Sequence, residues 1–223
     1  MTIRRHLDQE IEDLRVLLEE MCQTTLNMLL SSIGNLYTAD QAEFDRIFDL
    51  EVDVNRLQMK IDDLAWKIMA LYQPTASDLR FLIGSIKAAV DLERVGDEVC
   101  VMCRRAMELH EEDFRIPPSD LTELEIMTRS VYKDGVSILL NPNEDLADII
   151  LSSDDTIDRA LCDLFQKVLQ NLHENPSQAE SWLDFLAIGR SLERIADHAT
   201  NLAEIAIFML KGKDVRHKGM SFK

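Results

Sequence analysis

A six-residue motif occurs twice in the chain, first as Leu92-Glu93-Arg94-Val95-Gly96-Asp97 and again as Leu192-Glu193-Arg194-Ile195-Ala196-Asp197. In each copy the Glu and the Asp are four residues apart, so on a helix both carboxylates lie on one face. The same motif repeated 100 residues later indicates a duplicated structural unit. Each copy also follows a second acidic pair with the same spacing, and these pairs are Asp49 with Asp53 and Asp154 with Asp158.

A single acidic pair with this spacing is weak information, because 41 acids in 223 residues produce roughly seven such pairs by chance. Height along a helical hairpin is more informative. Counted from Pro74, Asp53 and Glu93 lie 21 and 19 residues away, and Asp49 and Asp97 lie 25 and 23 residues away. At about 1.5 Å per residue, facing carboxylates match in height to about 3 Å.

The second half shows the same agreement. Counted from Pro176, Asp158 and Glu193 lie 18 and 17 residues away, and Asp154 and Asp197 lie 22 and 21 residues away. Two acids of one helix are therefore predicted to meet two acids of its neighbour in each half. Outward-facing, solvated acids are the open alternative.

Few turns and a 3.6-residue apolar period predict an all-α protein of six long helices. Gly and Pro number only 7 and 5. We expect helices over about 7–37, 40–72, 75–110, 119–140, 143–172 and 175–211. The expected end signals are Thr38 or Asp40, Thr75, Ser119 and Asn175 as N-caps, and Gly212 at the left-handed C′ position.

The double proline at Pro117-Pro118 divides the helices into two groups of three. Short connections make sequential helices antiparallel neighbours. The chain is therefore predicted to form two tandem three-helix bundles, at residues 1–115 and 116–212, followed by a basic tail at 213–223.

The charge of the chain is −17, which argues against a nucleic-acid-binding protein and favours cations or basic partner surfaces. No apolar run is long enough to predict a membrane span, and the N-terminal residues lack the apolar region of a signal peptide.

Four facing carboxylates repel one another, so either their pKa values rise or a cation neutralises them. Hard oxygen ligands suit Mg, Ca, Mn, Fe or Zn. A ferritin-like di-iron site needs Glu-x-x-His, but Gly96 and Ala196 occupy the positions where that His would lie.

The cysteines and the histidine after the second motif have less specific patterns. Cys100 and Cys103 lie in a helical segment and are predicted to be small buried side chains, with a redox or zinc role as the alternative. Cys162, four residues after Asp158, is the cysteine expected closest to a site. His198 is predicted to support the site or the structure rather than to be a ligand.

Several longer stretches of the chain resemble the PhoU family over nearly the whole length. They are Tyr72-Gln-Pro-Thr-Ala-Ser-Asp-Leu-Arg80, Asp91 to Asp97, Ser191-Leu-Glu-Arg-Ile-Ala-Asp-His198-Ala-Thr-Asn201 and Lys211-Gly-Lys-Asp-Val-Arg-His217. The first repeat departs from the family pattern, with Glu98 and Val101 where the second repeat has His198 and Asn201.

The resemblance implies a fold of two tandem three-helix bundles and carboxylate metal sites for iron, zinc, manganese or magnesium. Its ligands would be Asp49, Asp53, Glu93 and Asp97 in one bundle and Asp154, Asp158, Glu193 and Asp197 in the other. It also implies a cytoplasmic, non-enzymatic repressor of phosphate uptake and phosphate-starvation signalling. Such a protein contacts a sensor histidine kinase and the ATPase of the phosphate ABC transporter, and we expect a homodimer.

Two other functions remain open at this point. One is a metal-homeostasis protein or an enzyme with a carboxylate metal site, which would need an open coordination position. The other is an accessory protein of a different phosphate transporter.

Overall fold

Six α-helices account for most of residues 2–213, the part of the chain that this computed structural model describes, with side chains described from residue 5. The helices are α1 (Thr2–Asn35), α2 (Gln41–Tyr72), α3 (Ala76–Glu111), α4 (Pro118–Leu140), α5 (Glu144–Glu174) and α6 (Ala179–Lys211). The predicted all-α class is confirmed. The predicted basic tail lies, from residue 214 on, outside the described residues.

The helices form two three-helix bundles, α1–α3 and α4–α6, as predicted. The third helix of each bundle is the most buried one, and α3 packs on α6 more extensively than any other two helices pack. Their contacts run in opposite directions, from Arg80 against Met209 at one end to Glu112 against Ser181 at the other. The two third helices are therefore antiparallel and form the centre of the molecule.

Three of the predicted helix ends occur in the structure. Asp40 caps α2 and accepts a hydrogen bond from the backbone N–H of Ala42. Thr75 is the N-cap residue of α3, although its hydroxyl donates to Asp78 Oδ2 at 2.8 Å instead of accepting from the backbone. Gly212 ends α6 with φ 68°, the left-handed conformation that glycine adopts without strain.

One predicted cap is wrong, and another lies at the start of a shorter element. α4 begins one residue earlier than expected, at Pro118, and its N-cap is Pro117 rather than Ser119. A proline at the first helical position has no N–H to satisfy, so the prolines themselves start the helix. Asn175 is the N-cap residue of a single 3₁₀ turn, Pro176–Gln178, which begins with a proline as predicted, but its side chain makes no capping hydrogen bond and α6 begins only at Ala179.

The connection between the bundles is packed against the second bundle. The ring of Phe114 makes an edge-to-face contact with Trp182, with 5.0 Å between centroids, and a tilted contact with Phe185 at 6.4 Å. Phe114 and Ile116 are both buried. Burial of these side chains fixes where the chain leaves one bundle and enters the other.

Gly135 brings α4 unusually close to α6. A Cβ atom at this position would lie 3.0 Å from the Cβ and 3.1 Å from the Cα of Ala199. Gly34, in contrast, has no atom within 4 Å of its would-be Cβ. The two helical glycines therefore differ in whether a side chain has room.

Substitution of these two glycines should have opposite effects on stability. Gly135→Val should lower the free energy of unfolding by about 1–3 kcal/mol, because its branched side chain pushes α4 off α6. Gly34→Ala should raise it by about 0.5 kcal/mol, because alanine favours helix and nothing opposes it. Urea denaturation of both variants measures the difference. A Gly135→Val protein as stable as the parent would contradict the close packing of α4 on α6.

Candidate functional site: two acidic helical hairpins

The α5–α6 hairpin brings together the four acids predicted for the second bundle. Asp154 and Asp158 lie one turn apart on α5, on either side of the buried Ile157, and both are exposed. Glu193 and Asp197 lie one turn apart on α6 and are half-buried. The charges of Asp154 and Asp158 act on both Glu193 and Asp197, so the four acids lie close together at the solvent-facing edge of this hairpin.

The charges of this cluster act on one another. Burial raises the pKa of Glu193, and the charges of Asp197, Asp158 and Asp154 raise it further. Burial likewise raises the pKa of Asp197, with further contributions from Asp154 and Asp158. The second hairpin thus concentrates negative charge that a proton or a cation would relieve.

The α2–α3 hairpin is arranged differently from the prediction. Asp49 and Asp53 are exposed, and Asp53 forms an ion pair with Arg56 at 2.9 Å. Burial raises the pKa of Glu93, and the charge of Asp97 raises it further. Glu51 is the acid of α2 whose charge also raises this pKa. The structure therefore places Glu51, rather than Asp49 or Asp53, among the acids that act on the α3 pair.

The register of the duplication explains this difference. Each of the five buried positions of α5 has a buried counterpart on α2 exactly 103 residues earlier, whereas the motifs on α3 and α6 are 100 apart. These pairs are Phe44 with Ala147, Ile47 with Ile150, Val54 with Ile157, Ile61 with Leu164 and Ala65 with Val168. The predicted pairing of Asp49 with Asp154 assumed an offset of 105 residues. This offset differs by two residues from the observed one, which corresponds to a rotation of about 200° around the axis of α2.

With an offset of 103, the counterparts of Asp154 and Asp158 are Glu51 and Asn55. The two side chains are in contact, because Asn55 Nδ2 donates to Glu51 Oε1 at 2.5 Å. Counted from Pro74, Asn55 and Glu93 each lie 19 residues away, and Glu51 and Asp97 each lie 23 residues away. The first hairpin therefore carries three carboxylates and one amide where the second carries four carboxylates.

The donor chemistry of both hairpins fits a hard cation, since carboxylate and amide oxygens are the ligands such ions prefer. Their side chains are not gathered around one point, however. Within residues 2–213, no three His, Cys, Asp or Glu side chains lie close enough together to hold a metal ion. A cation would therefore have to draw the carboxylates inward by changes of side-chain rotamer.

Polar contacts between α3 and α6 join the two repeats beside these hairpins. Asp91 Oδ1 lies 2.8 Å from His198 Nδ1 and accepts a hydrogen bond from Asn201 Nδ2 at 2.9 Å. His198 acts electrostatically on both Glu93 and Asp197, so it lies near both acidic groups. His198 is thus a structural partner of Asp91, in agreement with its predicted supporting role.

Glu98, which occupies in the first repeat the position of His198, also contacts the other repeat. It accepts hydrogen bonds from Ser191 at 2.9 Å and from Arg194 at 2.8 Å. The charge that Glu98 adds to the first repeat is therefore paired with Arg194 of α6.

The cysteine predictions have mixed outcomes. Cys100 and Cys103 are buried thiols, and burial raises the pKa of Cys100 to about 12, so their predicted role as small core side chains is confirmed. Cys162 is exposed, and it is not among the charges that act on the second acidic group.

These features define a class of protein: an all-helical tandem repeat in which each repeat carries one acid-lined hairpin. A model of the PhoU domain matches the chain twice, over residues 18–106 and 121–206. The chain belongs to the PhoU family.

Individual relatives agree over the full length of the chain. A protein of Pseudomonas aeruginosa named phosphate-specific transport system accessory protein PhoU homolog is 32% identical over 222 residues, covering 98% of this chain and 91% of the relative. The Escherichia coli protein named phosphate-specific transport system accessory protein PhoU is 27% identical, covering 98% and 92%. A crystal structure of PhoU from P. aeruginosa superposes with a TM-score of 0.88 at 29% identity, covering 92% of this chain and 99% of that one.

Neutralising one acid of the second hairpin should stabilise the metal-free protein. The raised pKa of Asp197 means that its stabilising protonated form is lost as the pH rises through that pKa, so the charge lowers stability at neutral pH. Asp197→Asn should therefore raise the Tm at pH 7 in EDTA by about 2–4 °C, the shift that about 1 kcal/mol produces at this chain length. The difference from the parent should shrink as the pH is lowered toward 4.

The matched control is Asp53→Asn, which removes an exposed acid that is paired with Arg56. Its Tm at pH 7 should stay within about 1 °C of the parent, since exposed ion pairs contribute little. An Asp197→Asn protein with an unchanged or lower Tm at pH 7 would show that the four acids do not repel one another.

Proposed function

We propose that this protein is an accessory protein of a phosphate transport system that represses phosphate uptake and phosphate-starvation signalling. The observation that carries the proposal is similarity over both repeats to relatives named as accessory proteins of phosphate-specific transport. Those names describe an accessory role and no reaction, which supports a regulator over an enzyme. They also favour the phosphate-specific system over other phosphate transporters.

The regulator would act through protein contacts in the cytoplasm, as a homodimer. Its partners would be the sensor histidine kinase of phosphate signalling and the ATPase of the phosphate ABC transporter. None of the helices within residues 2–213 has the length and apolarity that a membrane crossing requires, so contact with membrane proteins would be made from the surface. The charge of −17 supports partners that present basic surfaces.

Cations at the two hairpins would adjust that surface. The ligands would be Asp154, Asp158, Glu193 and Asp197 in the second bundle. In the first they would be Glu51, Glu93 and Asp97 with the oxygen of Asn55, rather than Asp49 and Asp53. A bound iron, zinc, manganese or magnesium ion would offset the repulsion and hold the two helices of each hairpin in one arrangement.

A bacterial reporter strain that lacks its own PhoU tests the regulatory role. In excess phosphate the strain should express its starvation-induced alkaline phosphatase at a high level. The present chain, supplied on a plasmid together with its cognate kinase and transporter, should lower that activity at least several-fold. Activity that stays high while an immunoblot shows normal accumulation of the protein would refute the proposed repression.

Elemental analysis of protein purified without metal-charged resin tests the ligand sets. Glu51→Ala should reduce the metal bound by the first bundle, because it removes a carboxylate that faces Glu93. Asp53→Ala is the matched control on the same helix and should leave the metal content unchanged, since its side chain points to solvent. Loss of metal in Asp53→Ala with none in Glu51→Ala would restore the ligand set predicted from the sequence.

A further inference from the structure

The two acidic hairpins differ in the charge that they offer to a cation. With the offset of 103, Asn55 of α2 occupies the position that Asp158 occupies on α5. The first hairpin therefore presents three carboxylates and one amide, whereas the second presents four carboxylates. Since the number of charged ligands tunes the affinity of an oxygen-ligand site, a divalent cation should bind the second hairpin more tightly.

A further acid at the edge of the second hairpin adds to this difference. Partial burial raises the pKa of Asp154, and the charges of Asp158 and Asp155 raise it further. Asp155 is therefore close enough to act on the four acids of this hairpin. Its counterpart in the first repeat is the apolar Val52, so the first hairpin has no acid at the corresponding position.

The carboxylates of the second hairpin are not engaged with other side chains. Within the described part of the chain, none of these four carboxylates accepts a hydrogen bond from a side chain or forms an ion pair. Arg194, the basic residue that follows Glu193, pairs with Glu98 of α3 at 2.8 Å instead. A cation that enters the second hairpin therefore displaces no existing partner of its ligands.

The first hairpin, in contrast, has a ligand that is already engaged. Asn55 Nδ2 donates a hydrogen bond to Glu51 Oε1 at 2.5 Å, so a cation has to compete with this bond for the carboxylate. The amide must also turn its oxygen toward the ion, because its nitrogen is only a donor. Asn55 thus weakens the first hairpin twice, by the charge that it lacks and by the bond that it forms.

We propose that Asn55 sets the two hairpins to different ranges of cation concentration. The second hairpin binds its divalent cation tightly and stays filled, whereas the first hairpin fills only when the supply of the cation rises. The first hairpin is then the responsive site, at which a change in free cation changes how α2 and α3 are held together. This inference rests on the cation sites of the proposed function and adds which of the two regulates.

Calorimetric titration of the full chain with Mn²⁺ tests the difference, after the protein has been treated with EDTA and desalted. The parent should show two classes of site whose Kd values differ about tenfold or more. Asn55→Asp should tighten the weaker class about tenfold and leave the tighter class unchanged, because it supplies the first hairpin with a fourth carboxylate. Asp158→Asn should weaken the tighter class instead.

Asn27→Asp is the matched control, because it makes the same chemical change at an exposed residue of α1, outside both hairpins. Its two Kd values should stay within about twofold of those of the parent, since salt screens an exposed charge outside the sites. Tightening by Asn27→Asp as large as that by Asn55→Asp, or two classes of equal affinity in the parent, would overturn the inference and leave the cation sites in place.

Thermal unfolding in increasing Mn²⁺ gives a second measurement. The Tm of the parent should rise with the logarithm of the Mn²⁺ concentration, and the slope should increase where the first hairpin begins to fill. In Asn55→Asp this increase should occur at lower Mn²⁺, and an unchanged position would overturn the inference. A parent that binds no Mn²⁺ would refute the proposed cation sites and this inference together. None of these results alters the outcome of the phosphatase reporter, which tests the repression separately.

Discussion

The antiparallel packing of α3 on α6 is the constraint on which the rest of the molecule depends. Each of these helices serves as the third helix of its own bundle and as the contact surface for the other bundle. The motifs on α3 and α6 are 100 residues apart, so Asp91 corresponds to Ser191 and Glu98 corresponds to His198. The contact of Asp91 with His198 and the contact of Glu98 with Ser191 therefore join the same two positions of the repeat, once in each direction. This packing requires that the third helix of each repeat be buried on two faces, one against its own bundle and one against the other bundle.

The two equivalent contacts have diverged in chemistry. One joins a carboxylate to an imidazole and an amide, and the other joins a carboxylate to a hydroxyl and to the guanidinium of Arg194. Each is satisfied by its own partners, so neither half can be exchanged for the other without leaving a half-buried charge unpaired. The divergence also affects the hairpins, where Asn55 stands in the first repeat and Asp158 in the second.

Most of the fold was predictable from the sequence, since long amphipathic periods, few turn residues and a repeated motif determine six helices and two bundles. The acids of α6 and α5 were also predictable, because Asp154 and Asp158 flank the buried Ile157. The acids of α2 were not predictable from spacing alone. The distance of a residue from the hairpin turn gives its height along the helix but not the side of the helix on which it lies. Asp49 and Asp53 have the expected height but lie on the exposed side of α2. The buried pattern of α2, laid against that of α5, contains the missing information, because apolar positions record which side of a helix faces inward.

The packing of Phe114 against Trp182 and Phe185 has a consequence for how the molecule can be divided. A protein cut within the double-proline connection would not yield two self-sufficient halves, since the first half would end in an aromatic residue that belongs to the core of the second. The linker is therefore a shared structural element rather than a tether, and its aromatic contact completes the core of the second bundle.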